Sequence, residues 1–440
     1  MKRAHALAAL IFATQLAHAS LPEQALTRQL QAIVSDPAMP LASLSVVAIR
    51  SGAIVYSRQF GDKRLATPTS AAQPADAKTM YRVASISKLV AALGAMKLVE
   101  QGKLALDADV SDYLGYRLRN PNFPDQVISL RMLLSHQSSL LDDAGIAWDA
   151  RSDMKEFLVP GGALYGKGEM WSRRAAPGRY FDYVNLNWGV IATLMERASG
   201  ERFDRLMRQL ILEPMGLKAS YNVSAMSAAD IDNIATLYRK RVKDGDETWN
   251  PNGPWIAQTD DFGVAPPLAP AGLADYVIGR NGSLFGPQGG LRISSNELAQ
   301  IMLMLMDGGR YKGTQILKPE TVTAMLERQW TQQGANGDSY HGLYRAWGLG
   351  SEHFTDTSSI TDGKATGDRL VAGGSFGGVG HLGFSWGLKA AFVFDPKTKN
   401  GLVYVESGVG ANPENQPGEY SSRARFEERI TDALIRGALR

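Results

Sequence analysis

Tyr81-Arg82-Val83-Ala84-Ser85-Ile86-Ser87-Lys88-Leu89-Val90 reads as the end of a loop running into a helix. The spacing of three puts Ser85 and Lys88 on one helical face, about one turn apart. A serine hydroxyl is a poor nucleophile until a neighbour takes its proton. A lysine amine at that distance does so when its surroundings keep it neutral, and burial favours the neutral form. Ser85 also falls near the positive end of the predicted helix, where a developing oxyanion is stabilised. Ser-x-x-Lys alone equally describes an exposed first turn with a capping serine, so the surrounding chain has to decide. The helix continues through Leu89, Val90, Leu93, Met96, Leu98 and Val99, apolar around most of its circumference, which predicts burial. Gly102 ends it.

Outward from this helix, the pattern alternates between strands near the chain ends and helices between them. Residues 22–36 have helical spacing. Residues 44–60 read as a hairpin turning at Arg50-Ser51-Gly52. A Gly, Pro, Ala and Thr-rich connection spans 61–79. Short helical pieces are expected at Leu104 to Leu114 and Leu130 to Leu134, then helices at Asn185 to Ser199, Phe203 to Leu212 and Asn296 to Met306. From Gly383 the pattern turns to strands, Phe384 to Phe394 and Leu402 to Val405, and a helix from about Arg423 to Leu439 closes the chain. The arrangement this predicts is α+β. One antiparallel sheet, formed by both chain ends and flanked by the terminal helices, lies beside an all-helical lobe. The sheet lobe covers about 20–80 and 340–440 and the helical lobe about 81–339, together one domain over 20–440. Residues 244–290 are loop-like and hold Trp249, Trp255 and Phe262, which either line a cleft or form a small aromatic cluster of their own.

Composition sets further bounds. The 440 residues are 44% hydrophobic and 21% charged, an ordinary globular balance. The formal net charge of +3 gives no basis for nucleic-acid binding. The basic run Arg239-Lys240-Arg241-Val242-Lys243 is followed at once by Asp244, Asp246 and Glu247 and reads as a solvated hairpin. Lys2 and Arg3 precede an apolar run from Ala6 to Leu16, and Ala17-His18-Ala19 has the small-x-small form of a signal-peptidase site. Residues 1–19 are therefore read as a cleaved secretory signal, and a periplasmic or secreted location is expected. No stretch has the length of a stable membrane span. Without cysteine, neither a disulfide framework nor a lipid-modified cysteine is possible.

Two more stretches carry chemistry. In Pro177-Gly178-Arg179-Tyr180-Phe181-Asp182-Tyr183-Val184-Asn185, an extended segment would point Tyr183 and Asn185 one way and Val184 the other. A tyrosine beside a lysine can relay protons, and an asparagine offers both a donor and an acceptor to a substrate amide. Read without context, the pair is a core tyrosine and a capping asparagine. In Gly377-Gly378-Val379-Gly380-His381-Leu382-Gly383-Phe384, the glycines let a backbone approach a ligand closely. His381 would stand at the start of an edge facing the cleft, or else simply face solvent.

Ser-x-x-Lys, then Tyr-x-Asn, then His-x-Gly opening a late strand resembles the serine β-lactamase and penicillin-binding-protein superfamily. The resemblance is greatest to the branch of class C β-lactamases, D-alanyl-D-alanine carboxypeptidases, D-aminopeptidases and related esterases. It runs from about residue 30 to the C-terminus and takes in Ile128 to Leu140, Glu213-Pro214-Met215-Gly216-Leu217 and Gly289-Gly290-Leu291-Arg292. The resemblance implies an acylated nucleophile at Ser85 and general acid and base work shared by Lys88 and Tyr183. It implies substrate binding by Asn185, His381, Gly383 and Phe384, with an oxyanion hole made by the N–H groups of Ser85 and Phe384. It implies no metal and no organic cofactor. Leu382 and Phe384 stand where hydroxyl-bearing residues usually help hold a substrate carboxylate, and Val184 stands where serine is frequent, which argues against strong penicillinase or carboxypeptidase activity.

Other readings fail on context. Gly373-Gly374-Ser375-Phe376-Gly377 has the form of a nucleophile elbow, but a strand follows it rather than a helix. Gly378 to Gly383 fits a dinucleotide-binding pattern, but likewise opens a strand. His136, His341, His353 and His381 have no metal-ligand spacing, and His136 reads as a packing residue. The expectation is an exported serine hydrolase cleaving a small amide such as a D-amino-acid-containing peptide. The alternatives are a carboxylesterase, a β-lactamase and a non-catalytic binder of peptidoglycan fragments. Its partner would be a small molecule or short peptide, and the sequence leaves its oligomeric state open.

Overall fold

The computed structural model describes residues 21–262 and 267–440. The predicted signal, residues 1–19, lies outside them. A nine-stranded antiparallel sheet runs in the order Trp330–Thr331, Ala346–Trp347, Glu352–Phe354, Gly378–Ser385, Leu388–Asp395, Asn400–Glu406, Ser43–Arg50, Ala53–Arg64, Gln73–Pro74. Both chain ends therefore build it, as the strand pattern predicts. Ser43–Arg50 is the join, with Val46 opposite Tyr404 on one flank and Arg58 on the other.

Side-chain alternation along that strand explains the layers. Leu44, Val46 and Ala48 turn to one face and pack with Leu26, Leu30 and Ile33 of the helix Leu21–Val34 and with Phe426 and Ile430 of the helix Arg425–Leu434. Val47 and Ile49 turn to the other face and pack with the helices Ile86–Glu100 and Ser295–Met306. A sheet covered on both faces needs apolar residues at nearly every position, and Ser43–Arg50 is buried along all but its last residue. Twelve of the fifteen residues of Ile86–Glu100 are buried, as its all-round apolar pattern predicts.

Several expectations are corrected. The run Phe384 to Phe394 is not one strand, because Trp386 (φ +50°) and Gly387 (φ +87°) form a tight turn between Gly378–Ser385 and Leu388–Asp395. The strand begins not at Gly383 but at Gly378, so the preceding glycines Gly378 and Gly380 belong to it. A Cβ on Gly380 would lie 1.8 Å from the carbonyl oxygen of Phe392, so glycine is needed there for close backbone approach. The helical lobe is not helix alone, since Met80–Arg82 pairs with Arg292–Ser294 and Leu237–Lys240 pairs with Trp255–Thr259. That second ribbon holds the basic run. Arg241 is buried rather than solvated, its guanidinium paired with Glu247. Trp249 and Trp255 lie against Arg239 and Lys240 of the same ribbon, away from the central cleft. Between Leu104 and Leu114 only Ser111–Leu114 is helical. No helix among the described residues is long and apolar enough to cross a membrane.

Candidate active site

Ser85 occupies the N-cap position of Ile86–Glu100, directly after Ala84, whose φ of +46° is unusual for a residue with a side chain. Gly383, on the strand Gly378–Ser385, closes against this corner. A Cβ there would lie 2.6 Å from the carbonyl oxygen of Val83. One turn beyond Ser85, Lys88 is fully buried. Its Nζ lies 2.9 Å from Ser85 Oγ, 2.7 Å from Asn185 Oδ1 and 2.9 Å from the carbonyl oxygen of Gln288. Burial lowers its pKa to about 7, against an opposing pull from Asp142.

This geometry orients the amine. Neutral lysine has two hydrogens and one lone pair. Asn185 Oδ1 and the Gln288 carbonyl only accept, so they take the two hydrogens and leave the lone pair facing the Ser85 hydroxyl. Asp142 in turn fixes Asn185. Its Oδ2 accepts from Asn185 Nδ2 at 2.8 Å and from the Asn185 backbone N–H at 3.0 Å, while Oδ1 accepts from Leu186 N–H at 2.9 Å. One carboxylate thus sets the asparagine's flip and caps the helix Leu186–Ser199.

Tyr183 and Asn185 point into the cavity while Val184 is buried in the core behind them, as the extended reading predicts. Tyr183 is sandwiched between His136 (ring centroids 4.5 Å apart) and Tyr344 (5.1 Å). His136 also holds the backbone, accepting the Val184 N–H on Nδ1 at 2.9 Å and the Asp182 N–H on its carbonyl at 2.9 Å. Burial pushes the Tyr183 phenol well up, against a smaller downward pull from Ser85. It stays protonated at neutral pH.

The third motif is only partly where it was expected. Gly383 and Phe384 line the cavity. Lys389, opposite Phe384, gives its backbone N–H to the Glu406 carboxylate, away from the strand Gly378–Ser385. Phe384 and Lys389 are therefore a non-hydrogen-bonded pair, and the Phe384 N–H turns to the free edge beside Ser85. His381 does not face the cleft. It is 1% exposed, packed against Trp347 at 5.4 Å and behind Tyr183 at 6.2 Å. Burial and the Lys88 charge push its pKa down to about 3, so it is a neutral packing group.

The cavity measures about 440 Å³, and Tyr340, Leu343, Tyr344, Leu382 and Phe384 give it largely apolar and aromatic walls. Asp142, Gln288, Tyr340 and Tyr344 were not singled out from the sequence. The one signal available was the nearby Gly289-Gly290-Leu291-Arg292 landmark, which holds Gln288 in place. Phe262, from the aromatic loop, lines a neighbouring hollow instead.

A helical lobe closing on one face of a two-ended antiparallel sheet, with serine and lysine at the junction, is the architecture of the penicillin-binding-protein and β-lactamase structures. The family model described as Beta-lactamase matches residues 30–424, and the chain belongs to that family. Esterase EstB of Burkholderia gladioli is 28% identical over 258 residues, 53% of this chain and 62% of that protein. Penicillin-binding protein 4* of Bacillus subtilis (strain 168) is 29% identical over 204 residues, 44% of this chain and 41% of that protein. The D-alanyl-D-alanine-carboxypeptidase/endopeptidase AmpH of Escherichia coli (strain K12) is 27% identical over 188 residues, 40% of this chain and 44% of that protein. The chain spans less than two thirds of the length of these relatives. Among solved structures, the D-amino acid amidase from Ochrobactrum anthropi SV3 shares the fold with a TM-score of 0.63 at 17% identity, covering 94% of this chain and 99% of that one. The octameric penicillin-binding protein homologue from Pyrococcus abyssi does so with a TM-score of 0.60 at 20% identity, covering 89% of this chain and 74% of that one.

Proposed function

We propose that the chain is an exported serine hydrolase that works through an acyl-enzyme on Ser85. The observation that carries this reading is the orientation of Lys88, whose lone pair is left facing Ser85 by two obligate acceptors. Lys88 takes the Ser85 proton as Oγ attacks the substrate carbonyl. The oxyanion that forms lies between the N–H groups of Ser85 and Phe384. Tyr183, protonated and beside the lysine, passes a proton to the leaving group and is reprotonated from the Lys88 ammonium. The bond to the leaving group breaks, and water then releases the acyl group by the reverse route. Asn185 holds Lys88 and has one hydrogen and one lone pair left for the substrate.

The substrate is a small amide, with a D-amino-acid-containing peptide as the first choice. A carboxylic ester is the second, favoured by the apolar Leu382 and Phe384 beside the leaving group. Those two residues count against a β-lactam. Retention of serine, lysine and tyrosine in bonding geometry counts against a binder without catalysis.

The test is intact-protein mass after exposure to a fluorophosphonate and to a penicillin, together with turnover of a D-alanyl peptide and a 4-nitrophenyl ester, for wild type and Ser85→Ala. An adduct and turnover in wild type, with turnover at least about a thousandfold lower in the variant, support the reading. A wild type inert to all four reagents overturns it in favour of ligand binding alone. Export is tested separately, by N-terminal sequencing of the mature protein, which is expected to begin at Ser20.

A further inference from the structure

Arg82 stands three residues before Ser85 and lines the same cavity. Its guanidinium carbon lies over the Trp386 ring, 4.0 Å from the centroid. Nε reaches the Gly289 carbonyl oxygen at 3.2 Å, and Nη1 reaches Thr259 Oγ1 at 3.4 Å. Arg292 faces Arg82 across the short ribbon, and its guanidinium takes both oxygens of Asp260, at 2.6 and 3.0 Å. Asp260 is thereby committed elsewhere. Among the described residues Arg82 has no ion-pair partner, and its Nη2 donates to none of them. The cavity's other charged lining residues share one carboxylate: Lys389 lies 3.3 Å from Glu427, and the buried Arg423 stands beside it with Nε and Nη1 unpartnered among the described residues. Burial and the Arg292 charge lower the Arg82 pKa to about 9, against Asp260, so it remains cationic at neutral pH. A half-buried cation without a carboxylate is costly until an anion reaches it.

The position of Arg82 says which part of a substrate it meets. Tyr183, the leaving-group acid, sits at the His381 end of the strand Gly378–Ser385. Phe384 supplies the oxyanion N–H, and Trp386 with Arg82 lies on the far side of it. A carbonyl held at Phe384 with its leaving group toward Tyr183 runs its acyl chain toward Arg82.

We infer that Arg82 determines specificity, taking a carboxylate carried on the acyl part of the substrate. This rests on the acyl-enzyme reading of Ser85. A guanidinium suits the role because its planar fork meets both carboxylate oxygens. Recognition of a substrate carboxylate is then not lost with the strand hydroxyls, but moved across the oxyanion hole from the leaving-group side to the acyl side.

The experiment compares kcat/KM for 4-nitrophenyl hydrogen adipate and for its neutral methyl ester in wild type, Arg82→Gln and Arg82→Lys. Wild type is expected to prefer the acid by about tenfold or more, a preference that salt weakens. Arg82→Gln brings the ratio close to one, and Arg82→Lys keeps part of it. A wild type without preference, or a preference that survives Arg82→Gln, overturns the inference. The ratio is internal to each variant, so partial loss of folded protein does not alter it. The rate on the methyl ester reads the Ser85 reaction separately. Calorimetric binding of monomethyl adipate to Ser85→Ala reads Arg82 without any chemistry. Binding that the added Arg82→Gln change abolishes supports the inference. Equal binding in both, or binding in neither, overturns it.

Discussion

Lys88 carries the sharpest consequences at the scale of single residues. As the proposed base it would act only when neutral, so kcat/KM on a neutral ester is expected to rise with pH along a limb centred near its pKa of about 7. Lys88→Arg, which cannot deprotonate, should lose at least about a thousandfold at every pH. A flat profile through neutrality would assign the proton to another group. The same depression has a sign for stability. Between about pH 7 and the ordinary lysine value, the unfolded chain binds a proton that the folded chain does not. Stability contributed by this group therefore rises with pH across that window, with a limiting slope of about 1.4 kcal/mol per pH unit. Denaturation of wild type and Lys88→Met at pH 7, 8 and 9 checks this, since wild type should gain on the variant at each step. That Ser85, Lys88, Tyr183 and Asn185 come together was legible because they stand at fixed spacings within short motifs. The partners that give Lys88 its direction were not. Gln288 meets it from 200 positions away, and the useful group is a backbone carbonyl that no side chain announces.

At the scale of elements, the start of the helix Leu186–Ser199 and the closing strand hold the site in shape. Asp142→Ala removes the acceptor for three N–H groups at that helix start. The expected loss is about 1–2 kcal/mol in chemical denaturation and at least about tenfold in kcat/KM as Asn185 is freed to turn. Asp142 also raises the Lys88 pKa, so the acidic limb should move to lower pH, a shift that a purely structural role would not produce. Gly383→Ala forces a Cβ into the Val83 carbonyl. It should cost about 1–3 kcal/mol and lower kcat more than KM changes, read by steady-state kinetics. The hairpin at residues 44–60 and the long helices were readable from their periods. The turn at Trp386-Gly387 was not, because apolar residues continue on both sides of it and Trp-Gly lacks the usual Asn-Gly or Asp-Gly signal. His381 was misplaced at the other end of the same strand. With the strand pattern read only from Gly383, the strand began too late, and a residue in its covered half was put on its open edge.

At the scale of the whole molecule, one sheet separates two cores that share its strands. Val46 and Val47 are adjacent, both completely buried, and face opposite cores. Each valine-to-alanine change should cost about 1–3 kcal/mol, and both should shift one common calorimetric transition because neither core survives loss of the strand. Two separable transitions would mean that the cores melt independently. The two-ended sheet was legible because strong strand patterns sit at both ends of the chain. Its outer strands, Trp330–Thr331, Ala346–Trp347 and Glu352–Phe354, were not, since two or three residues are too few to show a period.

The sheet's topology also sets an order of events during synthesis. Ser43 and Ser407 share a 2.7 Å hydrogen bond although 364 positions separate them. A chain leaving the ribosome N-terminus first carries Ser43–Arg50 with one unpaired edge until its partner strand Asn400–Glu406 has been made. On the proposed reading Ser85, the nucleophile, emerges early, but the strand Gly378–Ser385 that would supply its oxyanion partner comes late. A product truncated before that strand is then expected to be inert as well as unfinished, and the proposed active centre is assembled only once that strand has emerged.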